Sequence, residues 1–303
     1  MPPAPQPGSA LPALSVSHVV LMPSFNPGPR VLDTVRLALK YWAPVWVIVD
    51  GSTDGTAEQL ETLAAQVARE TRSDDRLRIL VLPENRGKGS AVLYGAAHAL
   101  REGYRYGLTM DCDGQHPAAS LPPMMHFSQK NPGCLVLGEP VFDASAPQLR
   151  LQGRKISNFF ANLETLWGGV RDSLFGFRVY PLEALTRIMA RMPFARRFDF
   201  DPEMAVRLFW QGAPPVNVPV PCLYISKADG GVSQFRYVRD NVLLTGMHLR
   251  LMTEFLLYRL PGLALLRLLG RGAFRPTRSG RQPLGEAAMP DQHPDRTARL
   301  PKL

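Results

Sequence analysis

Residues 111–117 read D-C-D-G-Q-H-P and follow the apolar run Tyr106–Met110. Asp111 and Asp113, one residue apart at the end of a strand-like run, could aim two hard oxygen ligands at one divalent cation. They could equally form a solvated turn, since Asp and Gly favour turns for backbone reasons. A second acidic pair, Asp50 and Asp54, lies in D-G-S-T-D-G-T and could be a turn followed by a helix cap ahead of Thr56. A third polar stretch, Asn85–Ser90, brings the cation Lys88 between two glycines. It is not a Walker A loop, because Leu82 stands at the first glycine position and Gly89 where Ser or Thr must follow the lysine. Nor is it a dinucleotide fingerprint, because Val92 occupies the last glycine position. What remains is a Gly-Lys-Gly turn opening a helix, whose free N–H groups suit a phosphate or ribose.

These stretches are positioned by a regular alternation. Apolar runs at His18–Pro23, Val45–Asp50, Leu77–Pro83 and Tyr106–Met110 are separated by helical stretches at Arg30–Tyr41, Thr56–Thr71 and Lys88–Gly103. That pattern describes βαβ units and an α/β domain with a mostly parallel central sheet. In such sheets ligands bind outside the carboxyl ends of the strands, where Pro23–Asn26, Asp50–Thr56, Asn85–Ser90 and Asp111–Asp113 all fall. Together they outline a nucleotide pocket with a metal at its floor.

Composition limits the alternatives. The chain has 303 residues, 45% hydrophobic and 20% charged, enough to bury a sizeable core. Three distant cysteines make neither a disulfide framework nor a zinc site and fit a reducing compartment. The net charge of +9 points to a polyanionic partner: phosphorylated substrate, anionic membrane or nucleic acid. Residues 1–17 are Pro/Ala/Ser-rich, without a basic or long apolar region, and are expected to be a disordered lead. The expected divisions are a catalytic domain over 18–225, a basic amphipathic helical segment over 226–275 and a disordered tail over 276–303. Between Ser226 and Arg281 ten Lys/Arg face three acids, and apolar residues recur at 238, 242, 249, 252, 256, 260 and 263. Arg259, Pro261 and Arg267 interrupt what would otherwise be a spanning length. The segment is therefore expected to lie on an anionic membrane or to pack on the catalytic domain.

The ordered series P-S-F-N, V-D-G-S-T-D-G-T, N-R-G-K-G-S-A and D-C-D-G-Q-H-P resembles the family 2 glycosyltransferases of GT-A fold, most of all their polyprenyl-phosphate sugar synthase branch. The resemblance covers residues 18–225. It includes Asp172–Tyr180, similar to the family's D-x-x-x-G-F-R stretch, and F-D-F-D-P-E-M over 198–204, similar to its acidic motif. It implies a nucleotide-sugar donor, with Asp50 on the base, Pro23 lining the base pocket, and Asn26, Ser52, Asp54 and Lys88 in the nucleotide site. It further implies Mg²⁺ or Mn²⁺ held by Asp111, Asp113 and Gln115, and single displacement with inversion. Val49 departs from the family by replacing the first of two acids before G-S.

The chemistry calls for these residue types. A departing diphosphate gains charge, which a divalent cation and Lys88 or Arg178 could neutralise. An alcohol acceptor would need a general base, and Asp199, Asp201 and Glu203 are the candidates, with Asp201 favoured. A phosphate acceptor needs only cations, for which Arg154, Lys155 and Arg178 are placed, with Arg150 and Arg171 beside them. The acceptor is expected to be a lipid or polyprenyl phosphate, as in cell-envelope glycan or glycolipid synthesis. The expected location is the inner face of the cytoplasmic membrane, with no nucleic-acid partner. His116 is expected to be a turn or supporting residue, and His98, His126 and His248 receive no functional reading. A nucleotidyltransferase and a non-catalytic basic membrane protein are the alternatives. The first lacks its Gly-rich loop with Arg after strand one, and the second leaves four polar strand ends unexplained.

Overall fold

The computed structural model describes residues 11–28, 30–142, 148–222 and 236–262. Four parallel strands, β1 (His18–Ser24), β2 (Val45–Asp50), β3 (Leu77–Leu82) and β4 (Tyr106–Thr109), alternate with helices α1 (Arg30–Tyr41), α2 (Thr56–Thr71) and α3 (Lys88–Arg101). Helix α4 (Leu121–Lys130) leads to β5 (Leu135–Phe142), and α5 (Gln148–Glu164) to β6 (Arg178–Pro181). Then follow α6 (Leu182–Ala190), α7 (Phe200–Trp210), β7 (Pro215–Cys222) and α8 (Tyr237–Glu254). The seven strands form one sheet in the order β3-β2-β1-β4-β6-β5-β7, in which β6 runs antiparallel to both neighbours.

Every residue of β2 is buried, as expected of an interior parallel strand covered on both faces. Alternate residues feed two cores. Val19, Leu21, Trp46 and Ile48 pack with residues of α3, α6, α7 and α8, whereas Val20, Met22, Val45, Val47 and Val49 pack with residues of α1, α2 and α4. Helices therefore cover both faces, and the strand ends are left to loops.

One expectation needs correction. Part of the lead is ordered: the Ser15 N–H donates to the Ala43 carbonyl and the Arg76 guanidinium to that of Pro12. Helix α5 ends at Glu164, ahead of Leu166 and Trp167, which adopt left-handed φ of 51° and 55°. As one of the two alternatives had it, the described part of the C-terminal segment packs on the catalytic domain: α8 lies against α5 and α7, and Asp240, Leu244, Met247, His248, Leu251 and, just beyond its end, Phe255 are buried at helical spacing. The apolar residues singled out by their period are another face of this helix: Val238, Val242, Leu249, Leu256 and Leu260 are exposed. Among its described arginines, Arg239 pairs with Asp240, Arg250 with Glu203 and Arg259 with Glu254. Among the described residues no helix is long and apolar enough to cross a membrane. Residues 263–303, with the expected tail, lie outside the described residues.

Candidate active site

Three side chains converge beyond the carboxyl end of β4. The Lys88 ammonium, at the start of α3, lies 2.9 Å from Asp111 Oδ1 and 2.9 Å from Asp201 Oδ2. Asp201, in the first turn of α7, also accepts the Tyr180 hydroxyl at 3.2 Å from β6. Asp113 points into the same turn and accepts the Gln115 N–H at 3.0 Å. His116 is buried edge-on to Phe175, and its Nδ1 accepts the Asp111 N–H at 3.1 Å. That bond fixes the first acid of the pair from behind.

Charge explains why the cluster holds together. Burial works against the Lys88 ammonium, but Asp111 and Asp201 more than offset it and raise the lysine's pKa. Burial pushes Asp111 up, yet Lys88 brings it below the ordinary carboxylate value. Asp113 lacks that partner, so burial and then the Asp111 charge raise it. Burial lowers His116, which suits a neutral ring whose Nδ1 accepts a proton.

Gly176 makes room for the ammonium. A β carbon there would lie 2.4 Å from Lys88 Nζ and 3.3 Å from both Asp111 Oδ2 and Asp201 Oδ2. The loop carrying it is held tightly. Asp172 Oδ1 accepts the N–H groups of Leu174 and Phe175 at 2.9 and 2.7 Å and pairs with Arg154 at 2.5 Å. Thr109 Oγ1 donates to the Gly176 carbonyl at 2.7 Å, joining the loop to β4.

The remaining predicted residues divide into those that shape the neighbouring edge and those placed elsewhere. Asp50, buried at the end of β2, accepts the N–H groups of Arg86 and Gly87 at 2.8 Å each, and so holds the loop before Lys88. Ser52 Oγ accepts the Asn26 N–H at 3.0 Å, and Asn26 Oδ1 accepts that of Thr53 at 2.8 Å. Asp54 accepts the N–H groups of Thr56, in a turn, and of Gly28, at 3.2 and 3.3 Å. These bonds clamp the loops after β1 and β2 into one rim. The Pro23 carbonyl accepts the Cys112 thiol at 3.5 Å, bringing β1 beside the acidic turn.

The α3 N-terminus does not offer an open phosphate cradle. A β carbon at Gly89 would lie 2.2 Å from the Ala195 carbonyl oxygen, and the Ser90 N–H donates to that of Arg196. The glycines serve close backbone approach there.

Arg178 is fully buried, and its guanidinium donates to the carbonyls of Phe175, Asp201 and Asp172. It is a strut between the loop and α7, not a ligand for substrate phosphates. Glu203 is fully buried in ion pairs with Arg207 and Arg250, away from the cluster, so it is no general base. Asp199 precedes α7 and accepts the Arg197 N–H. Of the three acids only Asp201 reaches the cluster. Arg154 is occupied by Asp172 and lies over the Phe142 ring, Arg171 pairs with Glu139, and Lys155 is exposed on α5. Gly176 and Tyr180 were missed as site residues. A glycine carries no chemistry of its own, and a tyrosine inside a strand looks like core.

The residues fit a divalent cation of modest protein ligation. Three carboxylates and one ammonium leave a formal charge of −2 in the cluster. Among the described residues no three acid, histidine or cysteine side chains gather in metal-binding geometry. Asp111 and Asp113, with Gln115 adjacent, could supply carboxylate and amide oxygens to an ion completed by phosphate oxygens and water.

The chain is similar to several known proteins. The chain is 26% identical over 208 residues to polyprenol monophosphomannose synthase of Mycolicibacterium smegmatis, covering 67% of this chain and 76% of that one. It is 25% identical over 233 residues to undecaprenyl-phosphate mannosyltransferase of Micrococcus luteus, covering 71% and 88%. Dolichyl-phosphate β-glucosyltransferase of Dictyostelium discoideum matches at 27% over 220 residues, covering 66% and 63%. Among solved structures, glucosyl-3-phosphoglycerate synthase of Mycobacterium tuberculosis, in complex with Mn²⁺, UDP-glucose and phosphoglyceric acid, superimposes with a TM-score of 0.52. At 14% identity over 79% of both chains it shares the GT-A fold. The model of glycosyl transferase family 2 matches residues 19–189, more than half of the chain, and the protein belongs to that family of glycosyltransferases.

Proposed function

We propose that this glycosyltransferase moves a sugar from a nucleotide-sugar donor to a polyprenyl-phosphate-type acceptor, with inversion and with Mg²⁺ or Mn²⁺ bound. The observation that carries the reading is the Lys88–Asp111–Asp201 cluster beside Asp113 at the carboxyl edge of the sheet. The nucleoside lies against the rim formed by Pro23–Asn26 and Asp50–Asp54, with Asp50 setting the loop that carries Lys88. Asp111 and Asp113, with Gln115, would hold the cation, which when bound supplies positive charge to the departing diphosphate. Lys88 adds a second positive charge on the leaving-group side.

The acids support a phosphate acceptor. Asp201 is engaged by Lys88 and Tyr180, Glu203 by two arginines, and Asp199 by a backbone amide. None of these contacts leaves an acid poised to deprotonate an alcohol. An anionic phosphate oxygen attacks without a base. The names of the relatives, which act on polyprenol, undecaprenyl and dolichyl phosphates, point the same way.

The acceptor lies in a membrane, and the exposed apolar row of α8 suits contact with the inner face of the cytoplasmic membrane. Liposome co-sedimentation tests this placement. Val242→Glu with Leu249→Glu should lower binding at least tenfold, whereas unchanged binding would return the row to a solvent-facing surface. For the chemistry, nucleoside diphosphate release from uracil- and guanine-based sugar donors, with short-chain polyprenyl phosphate and Mn²⁺, is the test. Stimulation by the phosphate and none by the matching alcohol supports the reading, and the reverse result overturns it.

A further inference from the structure

A buried row of polar side chains joins α8 to the loop that borders the active site. His248 Nδ1 lies 2.9 Å from Glu164 Oε1, and His248 Nε2 lies 3.0 Å from Ser157 Oγ. Ser157 Oγ is 3.0 Å from Ser173 Oγ, and Ser173 donates both its N–H and its hydroxyl to Asn158 Oδ1, at 2.7 and 2.8 Å. Glu164 and Ser173 are fully buried, and Ser157 and His248 nearly so. Water cannot replace a lost partner there, so each contact fixes the next.

The row ends where the catalytic geometry is made. Ser173 follows Asp172, which caps the loop, and three residues later Gly176 provides the space for the Lys88 ammonium. Arg178 then ties the same loop to Asp201 of α7. A shift at Ser173 is carried to the position of Gly176 through a short segment whose Ser173, Leu174 and Phe175 amides and Gly176 carbonyl are all hydrogen-bonded. We propose that His248 is a positioning residue for the transfer reaction. Through Ser157 and Ser173 it sets the Asp172–Phe177 loop, and so the distance between Lys88 and the two aspartates. Helix α8 is then a working part of the catalytic unit as well as a surface for membrane contact. This rests on the transferase reading for its kinetic consequence, but not for its structural one.

Two variants cut the row from opposite sides. His248→Leu removes both imidazole contacts on α8, and Ser157→Ala breaks the link while leaving α8 untouched. His248→Gln keeps an amide within reach of Ser157 and serves as the rescue. Hydrogen exchange of the Ser173, Leu174 and Phe175 amides is measured alongside kcat and donor KM. In His248→Leu and Ser157→Ala these amides should exchange at least tenfold faster, with α8 amides in Ser157→Ala unchanged. Turnover should fall about tenfold at constant donor KM, and His248→Gln should recover most of it. Loop exchange that stays at the wild-type rate in Ser157→Ala overturns the proposal. So does a faster-exchanging loop whose kcat is unaltered. Should the unaltered protein transfer no sugar while the loop still loosens, the transferase reading fails and the structural coupling stands.

Discussion

Gly176→Ala would place a methyl group where the Lys88 ammonium now sits. The added carbon would be 2.4 Å from Nζ and 3.3 Å from an oxygen of each aspartate. An ordinary carbon–nitrogen contact requires the ammonium to retreat by about 1 Å. Both of its 2.9 Å contacts then stretch past hydrogen-bonding length. The conflicting atom ends a flexible side chain, so the backbone need not move and the fold should survive. Losing the pairs at a buried carboxylate costs about 2 kcal/mol, a fall in Tm of about 4–8 °C. Catalysis should suffer more, because the proposed function puts this positive charge on the leaving-group side. Removing one such group typically lowers kcat by about 10²–10³. Thermal denaturation and nucleoside diphosphate release, measured on the same preparation, check both numbers. A variant with kcat within about threefold of the parent would show that the lysine position is irrelevant to the chemistry, and the reasoning would fail.

Asp113→Ala should abolish Mn²⁺-stimulated turnover with an unchanged circular dichroism spectrum, since the residue holds only a turn amide. Glu203→Gln should behave oppositely. Uncoupling Arg207 and Arg250 from a fully buried carboxylate should cost about 3 kcal/mol in denaturant unfolding, while kcat per folded molecule stays unchanged. Asp201→Asn should slow turnover about tenfold without altering the shape of the pH–rate profile; loss of an acidic limb would restore it as a general base. His18, buried against Ser128 and stacked on Tyr106, has its pKa lowered by burial from 6.5 to about 4. The unfolded chain then binds more protons between those values, so this group's contribution is intact above pH 6.5 and lost as pH falls towards 4. The loss amounts to about 3 kcal/mol, which should appear as a shallower pH dependence of unfolding in His18→Gln than in the parent.

The parallel half of the fold was legible because periodicity and turn residues agree there. His18–Ser24, Val45–Asp50 and Thr56–Thr71 stand within a residue of where the pattern puts them. Strand β6 was not legible, because four residues following a buried loop carry no period of their own. For the site, the acidic pair and Lys88 were visible as charged residues at strand ends, and their convergence on Asp201 follows from the sheet order. The arginines misled, because composition cannot tell a buried strut such as Arg178 from a surface cation. The C-terminal helix misled in a similar way. Its apolar period is real, but the residues that pack, Leu244, Met247 and Leu251, lie on a face between the counted ones.

In the proposed reaction Lys88, Asp111, Asp113 and Asp201 form the centre of a metal-assisted sugar transfer to a lipid phosphate. Its most direct test is the formation of glycosyl polyprenyl phosphate from radiolabelled nucleotide-sugars, with Mn²⁺ or with chelator, by the parent and by Asp113→Ala. A labelled, organic-soluble product of inverted anomeric configuration is expected from the parent with Mn²⁺, and none from the variant or with chelator. A product that forms equally well in the variant would contradict it.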